Sequence, residues 1–186
     1  MFEKSKEEYD NLPESEWVGQ WFCETSGGYV AAHRFKTVDD LNRPGIVAEI
    51  KGCRALAVLG KHVLRLPENV ANMIDTIVID GKSYSDLLKF KQGAIRPRGY
   101  PDAYFDGQTW DFKTSAYQNI ESVRQLFKDG RKADNVIFVA NCVKDIKTIR
   151  IAVERETGRQ RNNGTWGELP DVYCLFEGEL KAIWIK

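Results

Sequence analysis

Residues 100–115 read Y-P-D-A-Y-F-D-G-Q-T-W-D-F-K-T-S, two strand-like runs on either side of Asp106-Gly107. An Asp-Gly pair between alternating apolar residues is the strongest short-range hairpin signal a chain can carry. A two-residue turn here sets Phe105 against Gln108 and, counting outward, Asp102 against Asp111. Period-two alternation then gathers Asp102, Tyr104, Asp111 and Lys113 on one face, and Ala103, Phe105, Trp110 and Phe112 on the other. The second is a core face. The first holds two like charges across a ladder, which destabilises the pair unless something binds between them. Opposed Cβ atoms lie about 4.5–5.5 Å apart, close enough for both carboxylates to reach one cation. A three-residue loop or a bulge would instead slip the register and leave the two aspartates diagonal.

After the hairpin comes an amphipathic helix over 119–132, with Ile120, Val123 and Phe127 on its apolar face and Gln125, Lys128 and Lys132 on another. The run V-I-F-V-A at 136–140 is continuous and apolar, as expected of a strand buried on both faces and parallel to the strand before the helix. A further helix is expected over 145–157, then a loop through R-Q-R-N-N-G-T-W-G, then a closing hairpin around Glu177-Gly178. Ahead of the hairpin, Pro44-Gly45 opens a helix with Asn42 as a candidate N-cap, Ile46, Ile50, Cys53 and Ala57 as its buried stripe and Glu49 beside it. H-V-L-R-L at 62–66 alternates as a strand and ends at Pro67, which leaves Glu68 at a strand mouth. Residues 1–43 differ from the rest, with an acidic helical start and a Trp-rich piece. They read as an N-terminal extension packing on a domain of residues 44–186.

Some classes drop out. At 186 residues and 42% hydrophobic, the chain supports one sizeable core. Cys23, Cys53, Cys142 and Cys174 are dispersed, and with two histidines they offer no zinc-finger spacing. There is no apolar run of membrane-spanning length, and the N-terminus has no signal-peptide core. The expectation is therefore a cytoplasmic chain, or a piece delivered from a larger secreted parent. With 27 Lys plus Arg against 27 Asp plus Glu, the charge argues against a passive nucleic-acid binder. Local basic segments remain, including Lys89, Lys91, Arg96 and Arg98 before the hairpin.

Paired aspartates with a lysine suit phosphodiester hydrolysis. Carboxylates hold divalent cations that polarise phosphoryl oxygen and activate water, and a lysine orients that water or stabilises developing charge. The plain alternative is a solvated hairpin face that happens to carry these residues.

P-D followed nine residues later by D-F-K resembles the signature of the PD-(D/E)XK nuclease superfamily, on Pro101, Asp102, Asp111 and Lys113. Three blocks in order are similar to the C-terminal tRNase toxin domains of contact-dependent growth-inhibition and related polymorphic toxin systems. They are A-E-I-K-G-C-R-A-L-A-V-L-G-K-H-V-L-R-L-P-E, P-D-A-Y-F-D-G-Q-T-W-D-F-K and I-E-S-V-R-Q-L-F-K-D-G-R-K-A-D-N-V, spanning 48–136. The resemblance implies an α/β (α+β) fold with a central mixed β-sheet flanked by helices, a restriction-endonuclease-like core. It implies cleavage of RNA, most readily tRNA, dependent on a divalent metal ion (Mg, Mn or Zn), and a cognate immunity protein. Carried over by position, Asp102 and Asp111 are metal ligands and Lys113 the catalytic lysine. An acid from the first core helix would be Glu49, while the L-P-E block nominates Glu68, as catalytic acid and metal ligand. The shorter Asp111, where the superfamily more often has Glu, leaves room for Lys132 or Gln125 to complete the site. Lys128, Lys132, Gln125, Arg96 and Arg98 are the candidates for substrate binding.

Two other readings stay open. A metal-independent, barnase-like RNase would use an acid–base pair, for which His33 and His62 are candidates, although His33 also reads as an ordinary polar strand residue. An immunity or phage-associated interaction protein would retain the fold without catalysis.

Overall fold

Asp106 and Gly107 both adopt positive φ, 51° and 76°, the paired left-handed geometry of a type I′ turn, in which Gly107 carries no Cβ to clash. The computed structural model describes residues 2–36, 44–68, 70, 72–114 and 119–186. Strands β6 (Ala103–Phe105) and β7 (Gln108–Lys113) pair antiparallel as the turn requires. Phe105 faces Gln108 and Ala103 faces Trp110, and the Asp102 amide donates to the Trp110 carbonyl at 2.9 Å, so the ladder runs on toward Asp102 and Asp111.

The chain order from the N-terminus is α1 (Phe2–Asp10), β1 (Trp17–Phe22), β2 (Tyr29–His33), α2 (Pro44–Val58), β3 (His62–Arg65), β4 (Val78–Ile79), β5 (Lys82–Ser83) and α3 (Tyr84–Leu87). After β6 and β7 come α4 (Ile120–Asp129), a 3-10 turn at Gly130–Lys132, β8 (Asn135–Val139), α5 (Val143–Asn162), β9 (Asp171–Phe176) and β10 (Glu179–Trp184). Eight strands form one mixed sheet in the order β1-β2-β3-β6-β7-β8-β9-β10, while β4 and β5 pair separately. Strands β2 and β3 are parallel, as are β7, β8 and β9, and helices α2, α4 and α5 make the connections between them. Parallel neighbours need such crossovers, and this is the strand–helix–strand pattern expected after the hairpin.

Alternation along β8 divides the core. Val136 and Phe138 pack with Val123 and Phe127 of α4 and Ile149 and Val153 of α5. Ile137 points the other way, with Phe105, Trp110 and Phe112, onto Cys53, Leu56 and Ala57 of α2. The segment carrying Ile77, Ile79, Tyr84 and Leu88 packs against Tyr29, Ala31 and Tyr104 in a third cluster. Helices therefore flank a large central mixed sheet, the fold class anticipated.

Three local expectations shift. Residues 17–33, read as part of an extension, supply two strands of the central sheet. Helix α5 runs on to Asn162, through residues 159–162 that read as loop, because Thr157 and Gln160 are buried and the Gln160 side chain donates to Glu156 at 2.5 Å. The capping residue Asn42, proposed for α2, lies outside the described residues. All four cysteines are free, and among the described residues no helix is long and apolar enough to cross a membrane.

Candidate active site

Four carboxylates converge where β3, β6 and β7 meet the N-terminal half of α2. Asp102 lies at the entry to β6 and Asp111 in the middle of β7, so the hairpin register brings them side by side. Glu49 comes from the buried side of α2, and Glu68 from the segment beyond β3. One carboxylate oxygen from each of Glu49, Glu68 and Asp102 lies within 4.8 Å of the others, the spacing of a potential cation site. Asp111 and Lys113 line an adjoining cleft of about 480 Å³ together with Glu49, Asp102 and Lys132.

Among the described residues, four cations meet these acids. The Lys132 ammonium bridges Asp102 Oδ1 at 3.1 Å and Asp111 Oδ1 at 2.8 Å. Lys113 Nζ lies 2.6 Å from Asp111 Oδ2. Arg65, fully buried, donates from Nε to Glu49 Oε1 at 3.0 Å and from Nη1 to Gln20 at 2.9 Å. Lys36 sits between Glu49 Oε1 at 3.0 Å and Glu68 Oε1 at 2.7 Å, with its side chain only 5% exposed. Gly130 makes the Lys132 contact attainable. A Cβ there would meet Val136 Cγ2 at 2.1 Å, so only glycine lets the 3-10 turn close over β8 and β7.

The acids are not equivalent. Burial opposes charge on Asp102, but Lys132, Lys36 and the Phe112 amide, which donates to Oδ2 at 2.7 Å, outweigh it and hold the carboxyl below its ordinary range. Burial, reinforced by the charge on Asp102, pushes Asp111 up to about 7 against the pull of Lys132 and Lys113. Both ammoniums are close to Asp111, yet among the described residues neither of its oxygens receives an aligned hydrogen bond. Glu49 is raised by burial and then by Asp102, with Lys36 and Arg65 pulling down. Burial works against the ammoniums of Lys36 and Lys132, but in each case the facing carboxylates win and raise the pKa.

No family model matches the chain, and no curated protein matches it in sequence. A solved structure is similar, the CdiA-CT/CdiI toxin and immunity complex from Burkholderia pseudomallei. It shows 15% identity and a TM-score of 0.44, covering 80% of this chain and 91% of that one. At that distance the likeness carries nothing about chemistry, which rests on the side chains themselves.

The remaining candidates lie elsewhere. Gln125 donates to Asp129 at 2.8 Å, Lys128 lies 4.0 Å from the buried Glu156, Arg98 pairs with Glu168 at 2.8 Å, and Arg96 is exposed. None of the four lines the cleft. His33 is buried on β2, where its Nδ1 accepts the Phe35 amide at 3.2 Å and its ring packs edge-on to Trp17. His62 stacks on Tyr29 and lies 3.5 Å from Glu8. Neither histidine lines the cleft.

Lys36 and Arg65 were missed in the sequence. Arg65 had a signal, since it shares the alternation of Val63 on a strand face otherwise directed to the core. Lys36 had none, because its partners lie far along the chain.

Proposed function

We propose that the chain is a metal-dependent endonuclease that hydrolyses RNA, with tRNA as its substrate. The observation that supports this reading is the convergence of Glu49, Glu68 and Asp102 within 4.8 Å, beside a buried Asp111 whose oxygens lack aligned donors. An all-carboxylate donor set fits a hard cation such as Mg²⁺ or Mn²⁺ better than Zn²⁺, which favours His and Cys. Such an ion, when bound, would polarise a phosphoryl oxygen and lower the pKa of its water.

The chain's own residues divide the remaining work. Asp102, fixed by the Phe112 amide, belongs to the trio and lies beside Asp111, and would hold the ion together with Glu49 and Glu68. Asp111, with its raised pKa, is suited to take up a proton near neutral pH. Lys113 and Lys132 line the cleft, where they can hold the scissile phosphate and stabilise charge developing on it. RNA as substrate, the toxin role and a cognate immunity protein rest on the resemblance of the three sequence blocks, as does the assignment of residues 44–186 as the nuclease domain. Lys36 would then enter the site from outside that domain.

The test is to incubate the protein with a tRNA transcript and with plasmid DNA, with Mg²⁺, Mn²⁺ or Zn²⁺ against EDTA. Cleavage of tRNA that requires metal and is lost in Asp111→Ala is expected. Cleavage that persists in EDTA, or in that variant, overturns the mechanism. A metal-independent RNase has one observation in its favour, namely that the four acids, three of them buried, already face four cations among the described residues. It would leave a 2′,3′-cyclic phosphate and spare DNA. Lack of cleavage together with lack of cation binding would favour the interaction protein.

A further inference from the structure

The four acids of the cluster, Glu49, Glu68, Asp102 and Asp111, face four cations, Lys36, Arg65, Lys113 and Lys132. Among the described residues, side chains of the two signs thus meet here in equal number. A divalent ion entering the trio therefore adds two positive charges beside ammonium and guanidinium groups already in place, unless an ammonium leaves. The cations differ in how they are held. Arg65 projects from the middle of the sheet and is also tied to Gln20. Lys132 is carried on the 3-10 turn that packs over β8, and of the trio it contacts Asp102 alone among the described residues, its other partner being Asp111. Lys36 alone, among the described residues, bridges two members of the trio, Glu49 and Glu68. Its backbone lies past the end of β2, in a turn closed by its amide on the His33 carbonyl at 2.7 Å, and the ammonium reaches inward on a flexible stem.

Resting on the metal-binding reading above, we propose that Lys36 is a tethered competitor for the divalent ion. Its ammonium occupies the cation position of the trio in the metal-free protein and withdraws when metal binds. Lys36 then sets the apparent affinity of the site, because the binding-competent form is the fraction with the ammonium withdrawn. Glu68, the most exposed of the acids at 41%, is the natural route of withdrawal, since the lysine can keep that contact longest while leaving Glu49. The competition follows from position and charge and requires no change in protonation.

Two measurements test it. Calorimetric titration with Mn²⁺ alone compares wild type, Lys36→Met and Lys36→Arg. If the competent form is about a tenth of the population, Lys36→Met binds about tenfold more tightly than wild type, whereas Lys36→Arg, which keeps the charge, does not gain. Equal or weaker binding in Lys36→Met overturns the proposal while leaving the metal site intact. Absence of Mn²⁺ binding in wild type and both variants removes the metal reading and this proposal together. The second measurement needs no variant and so survives a Lys36→Met protein that fails to fold. Wild type is treated with an amine-reactive acetylating reagent in EDTA and in saturating Mn²⁺, and labelling is read residue by residue by mass spectrometry. Lys36 is expected to be protected in EDTA and to react faster in Mn²⁺. Equal protection in both overturns the proposal.

Discussion

Two buried carboxylate clusters stand on this sheet, and they are built to opposite ends. In one, Glu156 of α5 is fully buried and completely served. Arg124 of α4 donates to Oε2 from Nε at 3.1 Å and Nη2 at 2.8 Å, and Gln160 donates to Oε1 at 2.5 Å. Burial opposes its charge, but Gln160 and Arg124 outweigh it and hold the carboxyl below its ordinary range. In the other, Asp111 is equally buried, repelled by Asp102, and left without aligned donors among the described residues. A satisfied carboxylate ties two helices together. One crowded by its own kind beside a cleft, with ammoniums near but not aligned on it, is on the proposed function kept for a ligand.

The contrast is broken most directly by activity. Asp102→Asn removes the carboxylate shared by the trio and the Asp111 pair, and on the proposed function tRNA cleavage should fall by about a thousandfold, the upper range for losing one preorganised electrostatic group. Glu156→Gln should leave cleavage within about threefold, since the change touches only a structural contact. Equal losses in the two variants, measured by gel assay under single-turnover conditions, would make the two clusters functionally alike and erase the distinction.

Stability should rank the clusters the other way. Glu156→Ala strips Arg124 and Gln160 of their shared acceptor inside the α4–α5 contact and should cost about 3 kcal/mol in urea unfolding. In Asp102→Asn the Phe112 amide keeps an acceptor and Asp111 loses a repelling neighbour, so the metal-free protein should change by less than about 1 kcal/mol. A large loss there would mean that the acids of the cleft hold the fold together, as Glu156 does.

What could be read in the sequence follows the range of the interactions. The hairpin register, the burial of β8 and the apolar stripe of α2 are written in turn chemistry and periodicity over a few residues. The grouping of Asp102, Asp111 and Lys113 followed from that register. Lys36 was illegible because its carboxylate partner Glu68 lies 32 positions on, and Arg65 hid in a strand whose partner Glu49 lies 16 positions back, across the sheet on α2. Arg96, Arg98, Gln125 and Lys128 were chosen for charge and helix face alone. Long polar side chains find acids wherever they are near, and these found Glu168, Asp129 and Glu156, or only solvent. The membership of β1 and β2 in the central sheet is set by pairing with β3, a strand distant in sequence, and such pairing leaves little local trace.

The finest test of the contrast is the pH dependence of stability in EDTA. An unfolded aspartate loses its proton near about 3.9, whereas folded Asp111 keeps it to about 7. Between those values the folded chain binds a proton that the unfolded chain has released, so stability falls as pH rises through this window and is flat above it. Glu49 is shifted in the same direction. The downward shift of Asp102 acts below the ordinary carboxylate range and so stays out of the window. Glu156 is likewise shifted down, and its contribution is present throughout it. From pH 5 to pH 8 the metal-free protein should lose on the order of 2 kcal/mol, less than the full shift of Asp111 would give because Lys113 and Lys132 are strongly coupled to it. Asp111→Asn should flatten most of that slope and unfold at higher urea than wild type at pH 8. Glu156→Gln should keep the slope while lowering the whole curve. A slope of opposite sign, or one untouched by Asp111→Asn, would show that Asp111 is as well served as Glu156, leaving the cleft without the strained carboxylate that sets it apart.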